Sequence, residues 1–471
     1  MAGSPSAPSL RIELPTGRIE GSSSPDVLRI FKGIPYAAAP LGDDRWQSPQ
    51  AAKPWSGTRR CDNFGAVSVQ ASAQDAACYV GDLDCLSLNI WCPHGPGPWP
   101  VMVWIPGGGF MRGGASDALY DGSAMARAGI VFVSINYRLG VDGFMHFEDA
   151  APNRGLQDQL AALRWVQENI ALFGGDPSRV TVAGVSAGAG SVAHLMALPE
   201  SDALFHRAIL QSPSLQSHRL EDAAQIRHAL AGVLGIAPTR EAIEAVPFVA
   251  LTKALASFLG NEPLKKQWGL RPKNYFPVRP VIDGSMLQLP PLPALEKRLR
   301  NGAPKRAVLL GSNAEEMRFY LVPSGEIDHI ERNRIQSFID DIGWPSHTLA
   351  DYLQSMPHAS LGDVFSSIQT DYYYRQPTLA MAQLLRDAGA ETYLYEFQWP
   401  SPLHSGRMGA AHAMEIPFVL GNTESTRAQE FIGTLAPQAL AQDMHARWAA
   451  FVKGQPMPDW VNSEQSLRVF K

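Results

Sequence analysis

Strand-like and helix-like segments alternate along most of this chain. The apolar segments VMVWI (101–105) and IVFVSINY (130–137) are typical of buried strands, whereas residues 155–173 place Leu156 and Leu160 on one helical face. Buried strands that alternate with helices form parallel sheets. The alternation therefore predicts an α/β fold with a mostly parallel central sheet and helices on both faces.

The same pattern predicts how the chain is divided. Further strands are predicted at 179–184, 208–212, 306–311 and 392–399. Two mostly helical stretches, about 215–275 and 320–390, interrupt the alternation without adding obvious strands. We interpret them as insertions over one end of the sheet, within a single domain that spans residues 1–471.

Composition excludes several classes of protein. Hydrophobic residues make up 45% of the 471 residues and charged residues 18%, which excludes a disordered or coiled-coil protein. The formal net charge is −5 and no basic stripe is present, so neither nucleic acid nor a membrane is expected as a partner. Because the chain shows neither a secretion signal nor a membrane-spanning segment, a cytoplasmic location is predicted.

The cysteines do not predict a metal site. Their spacing is not that of a zinc site. All four lie close together in the sequence, at Cys61, Cys78, Cys85 and Cys92. A local disulfide and reduced thiols are both compatible with this pattern. No metal and no organic cofactor is expected.

The segment Gly184-Val185-Ser186-Ala187-Gly188 joins a predicted strand to a predicted helix. A sharp turn between a buried strand and a helix needs small residues, and it raises the serine hydroxyl above the edge of the sheet. Ser186 is therefore a candidate nucleophile. The pattern alone is short, and a structural turn rich in glycine and serine is the alternative interpretation.

A glycine loop follows the strand at 101–105. In a hydrolase with this layout, the backbone N–H groups of Gly108 and Gly109, with that of Ala187, would bind an oxyanion. The alternatives are a flexible loop or a phosphate cradle, but the cradle is disfavoured because no Gly-Lys-Ser/Thr sequence follows.

A serine nucleophile needs a base and an acid that orients it. His412 follows the predicted strand at 392–399, and Glu315 and Glu316 follow the strand at 306–311. Catalytic groups of parallel sheets collect at the carboxyl ends of strands. The order Ser186, glutamate, His412 matches the order nucleophile, acid, base of the α/β-hydrolases.

Motifs along nearly the whole chain resemble those of the type-B carboxylesterases, a family that includes para-nitrobenzyl esterase-like enzymes and is related to cholinesterases. They include FKGIPYAAAPLGDDRWQSP, INYRLGVDGF, FHRAILQSPS, GSNAEE and HAMEIPFVLG. The resemblance implies the α/β-hydrolase fold, with Ser186 as nucleophile, Glu316 as acid and His412 as base. It also implies that Ser212 and Glu415 lie near the triad.

Several positions differ from the family pattern, among them Pro106, Pro213 and the two that follow. Val185 stands where the residue before the nucleophile is usually glutamate. Ser68 stands where relatives carry a cysteine that pairs with the cysteine of the DCL motif, so Cys85 lacks that partner. Whether Cys61 or Cys78 replaces it is left open.

These observations predict a serine carboxylesterase that hydrolyses small to medium, fairly apolar esters, as a monomer or weak homo-oligomer. An amidase or carbamate hydrolase with the same triad is the alternative, and a silent binding protein on this fold is a second one. Each candidate pocket residue is also an ordinary core candidate; the candidates are Phe110, Met317, Phe319, Tyr320 and the run Tyr372-Tyr373-Tyr374. Arg112, close to the glycine loop, is a candidate for binding an acidic acyl group, or else a surface arginine.

Overall fold

A mixed sheet of ten strands organises the molecule. The computed structural model describes residues 10–24, 28–75, 78–271, 273, 275–457, 459–460 and 467–471. The strands are β1 (Arg11–Leu14), β2 (Gly17–Glu20), β3 (Ser22–Ser23), β4 (Arg29–Pro35), β5 (Thr58–Arg60), β6 (Gln70–Ala71), β7 (Tyr79–Val80), β8 (Ser87–Cys92), β9 (Trp99–Ile105), β10 (Val131–Ile135), β11 (Gly175–Val185), β12 (Arg207–Gln211), β13 (His218–Arg219), β14 (Val281–Ile282), β15 (Ala307–Asn313), β16 (Thr392–Phe397) and β17 (Leu467–Phe470).

Helices occupy most of the chain between the later strands. They are α1 (Ser123–Arg127), α2 (Gly140–Phe144), α3 (Arg154–Asn169), α4 (Ala187–Met196), α5 (Leu220–Leu234), α6 (Arg240–Glu244), α7 (Phe248–Ala256), α8 (Glu262–Gln267), α9 (Pro291–Arg300), α10 (Arg318–Leu321), α11 (Arg332–Ile342), α12 (Thr348–Ser355), α13 (Leu361–Thr370), α14 (Gln376–Asp387), α15 (Ile416–Leu420), α16 (Thr426–Ile432) and α17 (Gln438–Lys453).

The strands of the central sheet lie in the order β17-β16-β15-β12-β11-β9-β10-β8-β4-β3. Every pairing from β17 to β10 is parallel, whereas β8, β4 and β3 pair antiparallel at the other edge. The sheet is therefore mostly parallel, and the predicted α/β-hydrolase architecture is confirmed. Because seven neighbouring strands run the same way, the loops after β9, β11, β15 and β16 meet at one edge.

Both faces of the sheet are covered, as alternation along β9 shows. Val101, Val103 and Ile105 lie in one hydrophobic cluster with side chains of α3, α4 and α5. Met102 and Trp104 point to the other face and join a second cluster with α13, α15 and α17. Successive side chains of a strand point to opposite faces, and each large apolar side chain buried this way contributes about 1.5–3 kcal/mol.

The two predicted helical stretches contain few strands. Helices α5 to α8 lie in the first, where the only described strand is the two-residue β13, which pairs with β14 outside the central sheet. Helices α11 to α14 lie in the second. There a π-helical turn at Asp371–Arg375 joins α13 to α14 and carries three consecutive tyrosines. Such turns are often found at functional sites.

The described structure shows the state of the four cysteines, which the sequence left open. All four cysteines are free thiols, and Cys61, Cys85 and Cys92 are buried, so no local disulfide forms. Burial raises the pKa of the Cys61 thiol to about 11, which keeps it protonated and unreactive. In the described ranges, no helix is both long enough and apolar enough to cross a membrane.

Candidate active site

Ser186 lies in a tight turn between β11 and α4. Its backbone has φ +57° and ψ −121°, a conformation that non-glycine residues rarely adopt, and its side chain is almost fully buried. The flanking glycines allow the turn. A Cβ atom on Gly188 would lie 2.0 Å from the Ile105 carbonyl oxygen, and one on Gly184 would lie 2.6 Å from the Gly188 carbonyl carbon. The motif is therefore a strained turn that places a hydroxyl at a helix start, rather than an ordinary surface loop.

His412 and Glu316 form a buried pair at the same edge of the sheet. The Nδ1 atom of His412 lies 2.5 Å from Oε2 of Glu316, and both side chains are withdrawn from solvent. The backbone N–H of His412 also donates to the Glu316 carbonyl, at 3.2 Å. With Nδ1 engaged by the carboxylate, Nε2 remains, and it has no hydrogen-bond partner among the described residues. This arrangement leaves Nε2 as the atom that can accept a proton.

The two neighbouring glutamates have different surroundings. The Oε1 atom of Glu316 accepts a hydrogen bond from the Asn313 backbone N–H at 2.7 Å, which fixes the carboxylate at the end of β15. Glu315 instead accepts from the Ala410 N–H at 2.9 Å and pairs with Arg318 at 3.0 Å. The structure therefore brings Glu316, and not Glu315, to His412.

A second carboxylate, Glu415, is fully buried beside the first. It accepts hydrogen bonds from Gln211 Nε2 at 2.8 Å and Asn313 Nδ2 at 2.7 Å. Burial and the nearby charge of Glu316 raise the pKa of Glu415. Ser212, the other residue expected near the triad, follows β12 in a left-handed conformation, and its buried Oγ has no described hydrogen-bond partner.

The glycine loop after β9 presents free amides next to Ser186. A Cβ on Gly107 would lie 3.1 Å from the Ser186 Cβ, so the loop packs directly on Ser186. Gly108 and Gly109 have φ of +125° and +63°, and a Cβ on Gly109 would meet the Phe276 ring at 2.4 Å. Within the described chain, nothing accepts a hydrogen bond from either N–H. Such amides can bind a developing oxyanion.

Three aromatic rings pack on the imidazole of His412. The ring centroids of Tyr374, Tyr320 and Phe319 lie 4.6, 5.8 and 6.1 Å from that of His412. Burial raises the pKa of Tyr320 to about 12, although hydrogen bonds of its hydroxyl with Tyr374 and Ser186 oppose the shift. Tyr320 is therefore neutral and lies close to both Ser186 and His412.

The candidate pocket residues lie in different places. Phe319 packs on His412, as described above. Phe110 has φ +60° and turns into the core, where its ring lies 4.6 Å from that of Phe144. Met317 is buried in the second hydrophobic cluster, and its N–H donates to Thr370 Oγ1 at 3.2 Å.

The sequence did not indicate that Phe276 lies at the site, because no site motif stands beside it. Tyr320 was among the candidate pocket residues, and its ring packs on His412. Among the described residues, no three His, Cys, Asp or Glu side chains are grouped so that they could hold a metal ion.

The fold and the site together define a serine hydrolase of the α/β-hydrolase class. A strained serine, a buried histidine–glutamate pair and free loop amides meet at the carboxyl edge of a mostly parallel sheet. A model of the carboxylesterase family matches residues 8–468. The chain belongs to the carboxylesterase family, and it is a serine hydrolase of carboxylic esters.

Relatives of known name support this assignment. The para-nitrobenzyl esterase of Bacillus subtilis (strain 168) is 32% identical over 95% of this chain and 90% of its own length. The phenmedipham hydrolase of Pseudarthrobacter oxydans is 31% identical over 93% and 89%. The solved structure of carboxylesterase EST55 from Geobacillus stearothermophilus matches with a TM-score of 0.81 and 31% identity, over 98% of this chain and 96% of that one. These names favour an enzyme over a silent binding protein.

Proposed function

We propose that this enzyme hydrolyses small to medium, fairly apolar carboxylic esters through an acyl-enzyme formed on Ser186. The observation that carries the proposal is the buried pair between His412 Nδ1 and Glu316 Oε2, 2.5 Å apart, at the sheet edge where the turn of Ser186 lies. The pair fixes the imidazole so that Nε2 is the free nitrogen. Residues 1–471 form one catalytic domain in this proposal.

In the first half of the reaction, Ser186 Oγ attacks the ester carbonyl carbon while His412 Nε2 takes its proton. The N–H groups of Gly108, Gly109 and Ala187 stabilise the negative charge that develops on the carbonyl oxygen. Glu316 keeps the imidazole in position and stabilises its positive charge. The proton on Nε2 then passes to the leaving alcohol, and the acyl group stays on Ser186.

In the second half, water replaces the alcohol. His412 accepts a proton from the water as it attacks the acyl carbon, and the same amides hold the second oxyanion. Collapse of this intermediate breaks the bond to Ser186 Oγ, which takes the proton back from Nε2. The carboxylic acid leaves, and the free enzyme is restored.

The aromatic side chains around the triad support an apolar substrate. Phe276 contacts the glycine loop, and Phe319 and Tyr320 cover one side of His412. Apolar walls with a few polar groups are typical of pockets for small organic molecules. The bulk of these rings next to Ser186 favours short and medium acyl chains over long ones.

Amides and carbamates are the second candidate substrates. The same triad serves poorer leaving groups when the histidine is placed to protonate them, and one relative is named for the hydrolysis of phenmedipham. Phenmedipham should therefore be assayed beside simple esters. Turnover of phenmedipham above that of para-nitrophenyl butyrate would favour this alternative.

The test is hydrolysis of para-nitrophenyl esters from acetate to palmitate by the wild type and Ser186→Ala. We expect activity that is highest for the short and medium chains and lower by about 10⁴-fold or more in the variant. Ser191→Ala is the matched control, because Ser191 is a buried serine one turn into α4 whose Oγ accepts a hydrogen bond from Gln159. An active Ser186→Ala, or a folded wild type that hydrolyses no ester in the series, would contradict the proposal.

A further inference from the structure

A cavity of about 470 Å³ lies beside the glycine loop. Its walls include Met111 and Arg112 from the loop, residues 69–73, and Leu251, Lys253 and Leu255 around helix α7. Most of the lining is apolar, and the volume is in the range of pockets that bind small organic molecules. The cavity can therefore hold a small organic group next to the glycine loop.

The glycine loop touches both this cavity and Ser186. Gly107 packs on Ser186, and a Cβ on Gly113 would lie 2.5 Å from the Gly107 carbonyl oxygen, so the loop folds back on itself. Arg112 lies within this fold, and its backbone N–H donates to the Gly108 carbonyl at 3.1 Å. A rigid backbone therefore holds Arg112 next to the amides proposed for the oxyanion.

The positive charge at the cavity is not neutralised. Arg112 and Lys253 are both exposed, and neither side chain has an ion pair or hydrogen bond within the described part of the chain. Asp142 is the acidic residue of the lining, but its side chain is 5% exposed and pairs with Arg45 at 2.5 Å. The cavity thus offers two cationic groups with no acidic partner of their own.

The positive charge of Arg112 also influences two tyrosines, one of which, Tyr320, packs on His412. Burial raises the pKa values of Tyr320 and Tyr275, and the positive charge of Arg112 opposes both shifts. The acidic groups that act on Tyr275, Glu262 and Glu326, are already paired, with Lys265 and Arg334. The guanidinium of Arg112 therefore stays free to bind an anion that enters with the substrate.

We propose that Arg112, assisted by Lys253, binds a free carboxylate of the substrate in the cavity beside the glycine loop. The preferred substrates would then be esters that carry a second, unesterified carboxyl group, such as half-esters of dicarboxylic acids. Arginine suits this task because its planar guanidinium can donate two parallel hydrogen bonds to one carboxylate. The inference rests on the proposed esterase function and adds a substrate class to it.

The test compares charged and neutral esters of the same chain length. Monomethyl adipate and monomethyl suberate would be assayed against the dimethyl esters in a pH-stat, which tests a carboxylate on the acyl side. O-acetyl-lactate would be compared with its methyl ester, which tests a carboxylate on the alcohol side. In Arg112→Gln we expect the ratio of kcat/KM for charged over neutral esters to fall about tenfold, mainly through KM. Lys253→Gln should lower the same ratio by about threefold.

Arg164→Gln is the matched control, because Arg164 is an exposed arginine of α3 that does not line this cavity. It should leave the ratio unchanged. Higher ionic strength should raise the KM of wild type for the charged esters and not for the neutral ones. An Arg112→Gln ratio within about twofold of wild type would overturn the carboxylate site. Turnover of the dimethyl esters reports on the esterase function separately, so the two proposals can fail independently.

Discussion

His412 contacts two clusters that are built in opposite ways. One is the carboxylate cluster, Glu316 and Glu415 with the amides of Asn313 and Gln211, in which hydrogen bonds fix every carboxylate oxygen. The members come from the ends of β12 and β15 and from the loop that carries His412 itself. Backbone and amide donors hold three of the four carboxylate oxygens in place, and the fourth, Glu316 Oε2, bonds His412, so this cluster can set the orientation of the imidazole.

The other is the aromatic cluster, Phe319, Tyr320 and Tyr374, which contacts the faces of the imidazole ring. Its members come from helix α10 and the π-helical turn before α14 rather than from strand ends. Ring contacts are less directional than hydrogen bonds. We expect the carboxylate cluster to be required for the reaction. The aromatic cluster should have a smaller influence, on the rate and on the choice of ester.

The largest effect should follow a change in the carboxylate cluster. In Glu316→Gln the side chain keeps its size but loses its charge, so it no longer stabilises the imidazolium of His412. We expect kcat for para-nitrophenyl butyrate to fall by about 10³- to 10⁴-fold with little change in KM. Steady-state kinetics on variants with matched circular dichroism spectra would measure this.

Glu315→Gln is the control for that experiment, because it removes the neighbouring carboxylate, which bonds Ala410 and Arg318 instead. Its kcat should stay within about threefold of wild type, as expected for a partly exposed ion pair. Equal losses in both variants would mean that Glu316 has no special role.

A smaller effect is expected in the aromatic cluster. Tyr320→Phe keeps the ring on His412 but removes the hydroxyl that lies close to Ser186 and Tyr374. The loss of one hydrogen bond should lower kcat by about 3- to 10-fold. Tyr372→Phe is the control, since Tyr372 stacks on Phe338 and Trp344. A loss in Tyr320→Phe as large as that in Glu316→Gln would break the distinction between the two clusters.

The smallest effect concerns the pH dependence of stability. Because burial and Glu316 raise the pKa of Glu415, the folded protein keeps a proton that the unfolded chain loses above the ordinary value of 4.5. Below pH 4.5, Glu415 therefore makes its full contribution to the free energy of unfolding of the wild type. That contribution is lost as the pH rises through the raised pKa.

Glu415→Gln has no proton to lose, so its stability relative to wild type should improve as pH rises. The Gln211 amide can turn to pair with the new side chain, because its Oε1 has no described partner now. Denaturant unfolding of both proteins at about pH 5 and about pH 8 measures the difference. A difference that stays constant, or that moves the other way, would contradict the raised pKa.

The sequence predicted the part of the site that short segments encode. Ser186 and the glycines lie next to strands in single motifs, and a strand–turn–helix leaves little freedom in where such residues point. The mostly parallel sheet followed from alternation, although β11 begins at Gly175, earlier than the predicted strand at 179–184. The assignment of Glu316 over Glu315 needed the resemblance, because spacing alone does not tell which carboxylate reaches His412.

The aromatic surroundings could not be read from the sequence in the same way. Phe276, Tyr320 and Tyr374 meet only because helical segments far apart in the chain pack together. Phe110 shows the opposite case, since a positive φ turns a residue beside the glycine loop into the core. Positive φ in a non-glycine residue is uncommon and leaves no mark in a single sequence.

Covalent labelling tests directly whether Ser186 is the nucleophile, on which the proposed mechanism depends most. The wild type and Ser186→Ala would be treated with a fluorophosphonate, which forms a bond to activated serines, and the digested peptides analysed by mass spectrometry. We predict one label, on Ser186, appearing in parallel with loss of esterase activity, and no label in the variant. A label on another residue that accompanies the loss of activity, or full activity after Ser186 is labelled, would contradict the account.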